Sequence, residues 1–194
     1  MSYKDLYHHR QTLPFYVKKT EILKLAQQYS DKKAMLVRTG KLTSDVLRGL
    51  YLSVEDPRRL KINYAQGVNI IFFARDEGNN KCWQRLVIMK EAMHLFDNAL
   101  ESASTSEDFN YLLDDIVMGA PGPKSAGMRS EGIAFWRALS LFLPEEERSS
   151  ISQRRANGEL SDEEIAERVK MPLQHAPQLF GPHYKAYLEI VLAG

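Results

Sequence analysis

Gly67-Val-Asn-Ile-Ile-Phe-Phe-Ala74, then Arg75-Asp-Glu-Gly-Asn-Asn80, then a run from Gln84 carrying Leu86, Ile88, Met89, Met93, Phe96 and Leu100: this stretch decides the fold. The first piece is β-branched and aromatic and breaks into a turn, which predicts a strand. The run from Gln84 is spaced largely by three and four, which predicts a long amphipathic helix. The first piece is the one clear strand of the sequence, and Lys61 to Tyr64 offers it a short partner.

Outward from this centre the chain reads as helical. Leu13 to Tyr29 places Ile22, Leu23, Leu25, Ala26 and Tyr29 at helical spacing, and Ser44 can cap a short helix holding Val46, Leu47, Leu50 and Tyr51 before Asp56-Pro57 breaks it. A helix follows Ser104, which has capping-box spacing with Glu107, and runs through Phe109, Leu112, Leu113 and Ile116. Gly119 to Gly127 reads as a loop, either a lid or an inert connection, and Arg129 to Leu143 as a helix stopped by Pro144. Helical pieces complete the chain: Glu145 to Ala156, Ser161 to Val169 with a Ser161/Glu164 capping box, Pro172 to Phe180, and Pro182 to Leu192. The expected fold class is α+β, mostly helical, with a small sheet.

At 194 residues the chain is about one domain, taking roughly 100–200 residues per domain. Its 44% hydrophobic and 26% charged residues are those of a globular protein with a real core. A net charge of +1 argues against a dedicated nucleic-acid binder. Cys82 is the sole cysteine, so no intramolecular disulfide forms. The N-terminal stretch lacks the apolar core of a secretory signal, and no apolar run approaches a membrane span. The expected location is the cytoplasm.

The sharpest local feature is Arg85-Leu-Val-Ile-Met-Lys90-Glu91-Ala92-Met93-His94. On a helix, positions 90 and 94 share a face one turn apart. Zinc peptidases use this spacing in HExxH, where two imidazoles bind the ion and the glutamate holds and deprotonates the attacking water. Glu91 and His94 fit that pattern, whereas Lys90 stands at the first histidine. Taken alone, E-x-x-H is a weak signal that better describes a helical surface glutamate and a partly buried histidine.

A strand, a turn and then Arg-x5-E-x-x-H on an amphipathic helix resembles the core of the ImmA/IrrE-type zincin-like metallopeptidases. A later helix in that family follows a pattern near E-x-x-A-x-x-x-A-x-x-L-x-x-P, matched here by Glu131, Ala134, Ala138, Leu141 and Pro144. The resemblance continues through Arg148, Gly158 to Glu167, and Met171-Pro172, covering roughly residues 62 to 179. It implies an N-terminal helical part over 1–60, a zincin-like core over 61–144 and a C-terminal helical part over 145–194 packed on the same domain. It also implies Glu91 as catalytic base, with His94 and Glu131 as zinc ligands.

Lys90 departs from that family pattern. A protonated ammonium has three donors and no lone pair, so it does not ligate zinc. Asp97 and Glu101, three and seven residues past His94 on about the same face, are either replacement ligands or solvated helix carboxylates. Alternatively the Lys90 ammonium occupies the metal position itself and pairs with Glu131 and Glu91.

Three functions follow. The first is a metallopeptidase-like domain, non-catalytic or atypical, with a regulatory role in binding a peptide, a partner protein or a small molecule. The second is an active zinc peptidase with Glu91 as general base. The third is a helix-turn-helix regulator built on Leu160 to Phe180, disfavoured because Gln174, His175 and Gln178 come without Lys or Arg and the neighbouring helix is acidic. His8, His9, His175, His183, Cys82 and Trp83 read as surface or packing residues, and nothing singles out Tyr64 or Tyr111 as a carbonyl-polarising group.

Overall fold

The computed structural model describes residues 1–42, 48–56, 67–75, 80–97 and 126–193. Helix α1 (Tyr3–Gln11) starts from a capping box in which the Ser2 and Asp5 side chains bond each other's backbone N–H. Helix α2 (Lys19–Ser30) buries Ile22, Leu23, Leu25 and Ala26 and stops at Asp31, which takes a left-handed conformation at φ 55°. Three strands follow: β1 (Ala34–Thr39), β2 (Gly49–Leu52) and β3 (Asn69–Ala74). The sheet order is β1-β3-β2, with β1 parallel and β2 antiparallel to β3. Because β3 is central and covered on both faces, it reads as a nearly continuous apolar run.

Helix α3 (Lys81–Met93) begins at Asn80, whose side chain accepts from the Trp83 N–H at 3.2 Å, and passes into a single 3-10 turn over His94–Phe96. The later helices are α4 (Ala126–Ser140), α5 (Glu145–Ala156), α6 (Asp162–Val169) and α7 (Tyr184–Ala193). Helix α5 suits its dipole, with Glu145, Glu146 and Glu147 in its first turn and Arg154 and Arg155 in its last. The Ser161/Glu164 capping box opens α6 as expected.

The main core lies between the helices and one face of the sheet, centred on Leu6, Ile22, Ile71, Met89, Met93, Leu95, Leu139 and Phe142. Each such side chain adds about 1.5–3 kcal/mol by leaving water. On the opposite sheet face, Ile70, Phe72 and Leu52 form a smaller cluster. Two buried guanidiniums fasten the frame. Arg10, fully buried, donates to the carbonyls of Leu141 (2.8 Å), Pro14 (3.1 Å), Phe15 (2.8 Å) and Phe142 (3.1 Å). Arg85 lies between the rings of Tyr16 and Phe142 and bonds the carbonyls of Val17 and Val169. Burial pulls both arginines down to about 10.

A mostly helical α+β fold with a small sheet is what the sequence predicts. Several local readings differ. Leu50 and Tyr51 belong to strand β2 rather than a helix, and β1 supplies the parallel partner of β3. Two of the three strands thus precede residue 60. Helix α1, with Tyr3, Leu6, Tyr7 and Arg10 buried at helical spacing, has no counterpart among the individual helices expected from the sequence, and α2 begins only at Lys19. Gly127 is already helical, and the segment Leu173–Leu179 is a 3-10 helix containing Pro177. The readings at Lys61 to Tyr64, Ser44 to Leu47, Ser104 to Ile116 and most of Gly119 to Gly127 lie outside the described residues. Among the described residues, no helix is long and apolar enough to cross a membrane.

Candidate functional site

Helix α3 packs chiefly against α4, and β2 lies across its C-terminal half. Gly49 makes that approach possible, since a Cβ there would stand 2.5 Å from Val87 Cγ1 and 2.9 Å from Glu91 Oε1. The geometry gathers Lys90, Glu91 and His94 from α3 and its terminal turn with Glu131 from the early part of α4. All four converge.

Lys90 Nζ donates to Glu91 Oε1 at 2.9 Å and forms a close ion pair with Glu131 Oε2. On its other side Glu131 presents Oε1 to His94 Nε2 at 3.3 Å, and Glu91 Oε2 stands 3.8 Å from the same nitrogen. The opposite ring nitrogen, Nδ1, lies 2.6 Å from Asp97 Oδ2. Asp97 is itself held by Ser130 Oγ at 2.7 Å and by Arg137 Nη1 at 2.9 Å, and the Arg137 carbonyl accepts from the Tyr3 hydroxyl at 2.8 Å. The Tyr51 ring stacks on the imidazole, with centroids 5.5 Å apart.

Both nitrogens of His94 face carboxylate oxygens, which favours the doubly protonated ring. Burial alone would favour the neutral ring, but Glu131 and Asp97 outweigh it and raise the ring to about 10. Lys90 shows the same contest: burial works against its charge, and Glu91 and Glu131 more than restore it. Burial pushes the Glu131 carboxyl up, yet Lys90 and His94 hold it well below the usual carboxylate range. Three carboxylates, Glu91, Asp97 and Glu131, therefore meet three cationic side chains, Lys90, His94 and Arg137.

A catalytic zinc needs three protein lone-pair donors and an open position. Here an ammonium holds the point on which Glu91 and Glu131 converge, and both ring nitrogens of His94 face carboxylate oxygens. Among the described residues, no group of His, Cys, Asp or Glu is arranged to hold a metal ion. A protonated Lys90 does not supply the third lone-pair donor that such a site needs.

Of the remaining sequence-singled residues, Asp97 alone among those described joins this cluster. Asp97 is a hydrogen-bond partner of His94 through Nδ1, on the side of the ring away from Lys90, and Glu101 lies outside the described residues, as do Tyr64 and Tyr111. His9 bonds the Tyr29 hydroxyl at 2.8 Å, and His175 packs edge-on against Trp83. Cys82 is a half-buried free thiol. Sequence reasoning missed Gly49, Tyr51, Ser130 and Arg137. Only Arg137 left a trace, as a charge beside Ala134, Ala138 and Leu139 on the buried side of α4. Comparison with known proteins adds no relative: no family model, no curated protein and no solved structure matches this chain.

Proposed function

We propose that this chain is an ImmA/IrrE-type metallopeptidase-like domain in which the Lys90 ammonium takes the place of the metal, and that it acts in regulation by binding a peptide or partner protein without cutting it. The observation that carries this reading is that one ammonium is bonded to Glu91 and paired with Glu131. In the family resemblance those two carboxylates are the general base and a metal ligand. Here Oε1 of Glu91 accepts from Lys90, so the carboxylate that would draw a proton from water is tied to an ammonium instead of facing a metal-bound water. A fixed monovalent cation stabilises the carboxylates without supplying a Lewis acid with an exchangeable water. What survives is a charge-balanced cluster between two helices.

Incubating the chain with mixed peptide substrates in excess zinc tests the proposal. The expected outcome is uncut peptide together with saturable binding, read by perturbation of signals from α3 and α4. Zinc-dependent cleavage that disappears in Glu91→Gln would overturn it in favour of an active peptidase with Glu91 as base.

A further inference from the structure

Lys90 and His94 stand one turn apart on one face, and both reach toward a single carboxylate, that of Glu131. Each cation is fixed from behind: Lys90 by Glu91 at 2.9 Å, His94 by Asp97 at 2.6 Å. Glu131 has no such backing. Among the described residues its side chain pairs with these two cations alone, and it is the most exposed member of the group, at 33% against 3% for Glu91 and 5% for Asp97. Beside it Gly132 is exposed and faces open space.

A second observation concerns His94. The residue is 6% exposed, yet its Nε2 makes no hydrogen bond, although Glu131 Oε1 is 3.3 Å away. The contact is electrostatic and poorly aligned. A buried donor left in this condition gains from any acceptor that is better placed.

Resting on the reading of Lys90 as the resident cation, we propose that Lys90 and His94 form a receptor for one carboxylate of a peptide ligand, and that Glu131 fills this receptor until the ligand displaces it. The charge count decides between displacement and addition. With Glu131 in place, three carboxylates already meet three cations. A further carboxylate would leave an uncompensated negative charge in a poorly solvated site, so the incoming group replaces Glu131. Swinging outward, the Glu131 side chain regains water at its exposed edge. The bound-state contacts are then two charge-assisted hydrogen bonds, from Lys90 Nζ–H and His94 Nε2–H.

Acetate is the probe. Glu131→Ala leaves the two cations facing a gap that a small carboxylate fills. Its melting temperature should rise with sodium acetate and not with sodium chloride at equal ionic strength, while the parent chain responds to acetate only at much higher concentration and Lys90→Met/Glu131→Ala responds to neither. Should Glu131→Ala not fold, Glu131→Gln serves: its His94 Nε2 signal should shift saturably with acetate at a Kd about tenfold or more below that of the parent, as expected when an occupying group is removed. Acetate acting no differently from chloride on both variants would overturn the receptor. Two peptide arms then locate the source of the carboxylate: C-terminally amidated peptides bearing Asp or Glu, and neutral peptides with a free C-terminus. Binding by either arm that is lost in Lys90→Met supports the proposal, and binding by neither contradicts it. Stoichiometric zinc in the parent would instead remove the reading of Lys90 on which the receptor rests.

Discussion

The ammonium of Lys90 on α3 joins two carboxylates from different helices, Glu91 beside it and Glu131 across on α4. Removing it leaves His94, at 3.3 Å from Glu131 and 3.8 Å from Glu91, as the cation facing both. Lys90 keeps 21% of its side chain exposed, so the loss falls between that of a surface pair and that of a fully buried one. Lys90→Met should destabilise the fold by about 1–3 kcal/mol. Adding Glu131→Gln should recover part of that loss, because one of the two carboxylate charges then disappears. Urea denaturation of the two single variants and the double variant measures the coupling.

Gly49 sets how closely β2 lies on α3. A methyl group there would collide with Val87 and Glu91, at 2.5 and 2.9 Å. Gly49→Ala should cost about 1–3 kcal/mol by overpacking and should move Glu91, shifting the Lys90 and His94 signals in NMR spectra. A variant of unchanged stability and spectrum would contradict the close approach.

The site should also set the pH range of greatest stability. His94 is raised from its ordinary 6.5 to about 10, so the native state holds its proton more tightly than the unfolded chain. That contribution is complete below pH 6.5 and is lost as pH rises through 10. Glu131 is lowered from its ordinary 4.5, so its contribution is present above pH 4.5 and is lost as pH falls further. Between 4.5 and 6.5 both are in force. Denaturation midpoints measured across pH should decline on the alkaline side, and His94→Gln should flatten that limb.

Arg10 holds the carbonyls of five residues from two segments. A lysine carries one point of charge where the guanidinium has a planar fork, so Arg10→Lys leaves several of those carbonyls unsatisfied. The expected loss is about 2–4 kcal/mol, with faster hydrogen exchange at the end of α4.

How much of this was legible in the sequence follows from which interactions are local. The apolar run Asn69–Ala74 and the three-and-four spacing of α3 are written into neighbouring residues, and the fold class follows from them. Val46, Leu47, Leu50 and Tyr51 also fit a helical spacing, yet Leu50 and Tyr51 pair with Phe72 and Ile71 in the sheet. The hydrogen-bonding edge of β3 outweighs the local pattern. The capping box of α1 escaped because Asp5 stands where the usual signature has Glu or Gln. At the site, the helical spacing of Lys90, Glu91 and His94 was readable, and Glu131 entered through the family resemblance. The hold of Ser130 and Arg137 on Asp97 depends on how α3 and α4 cross, which no short stretch of sequence encodes.

Metal content is the most direct test of the claim that an ammonium replaces the metal. Protein purified without chelator, incubated with zinc and desalted, should carry none above background in elemental analysis or native mass spectrometry. Lys90→His, which exchanges the cation for an imidazole lone pair, should then retain zinc under the same treatment. One zinc held per parent chain would contradict the account.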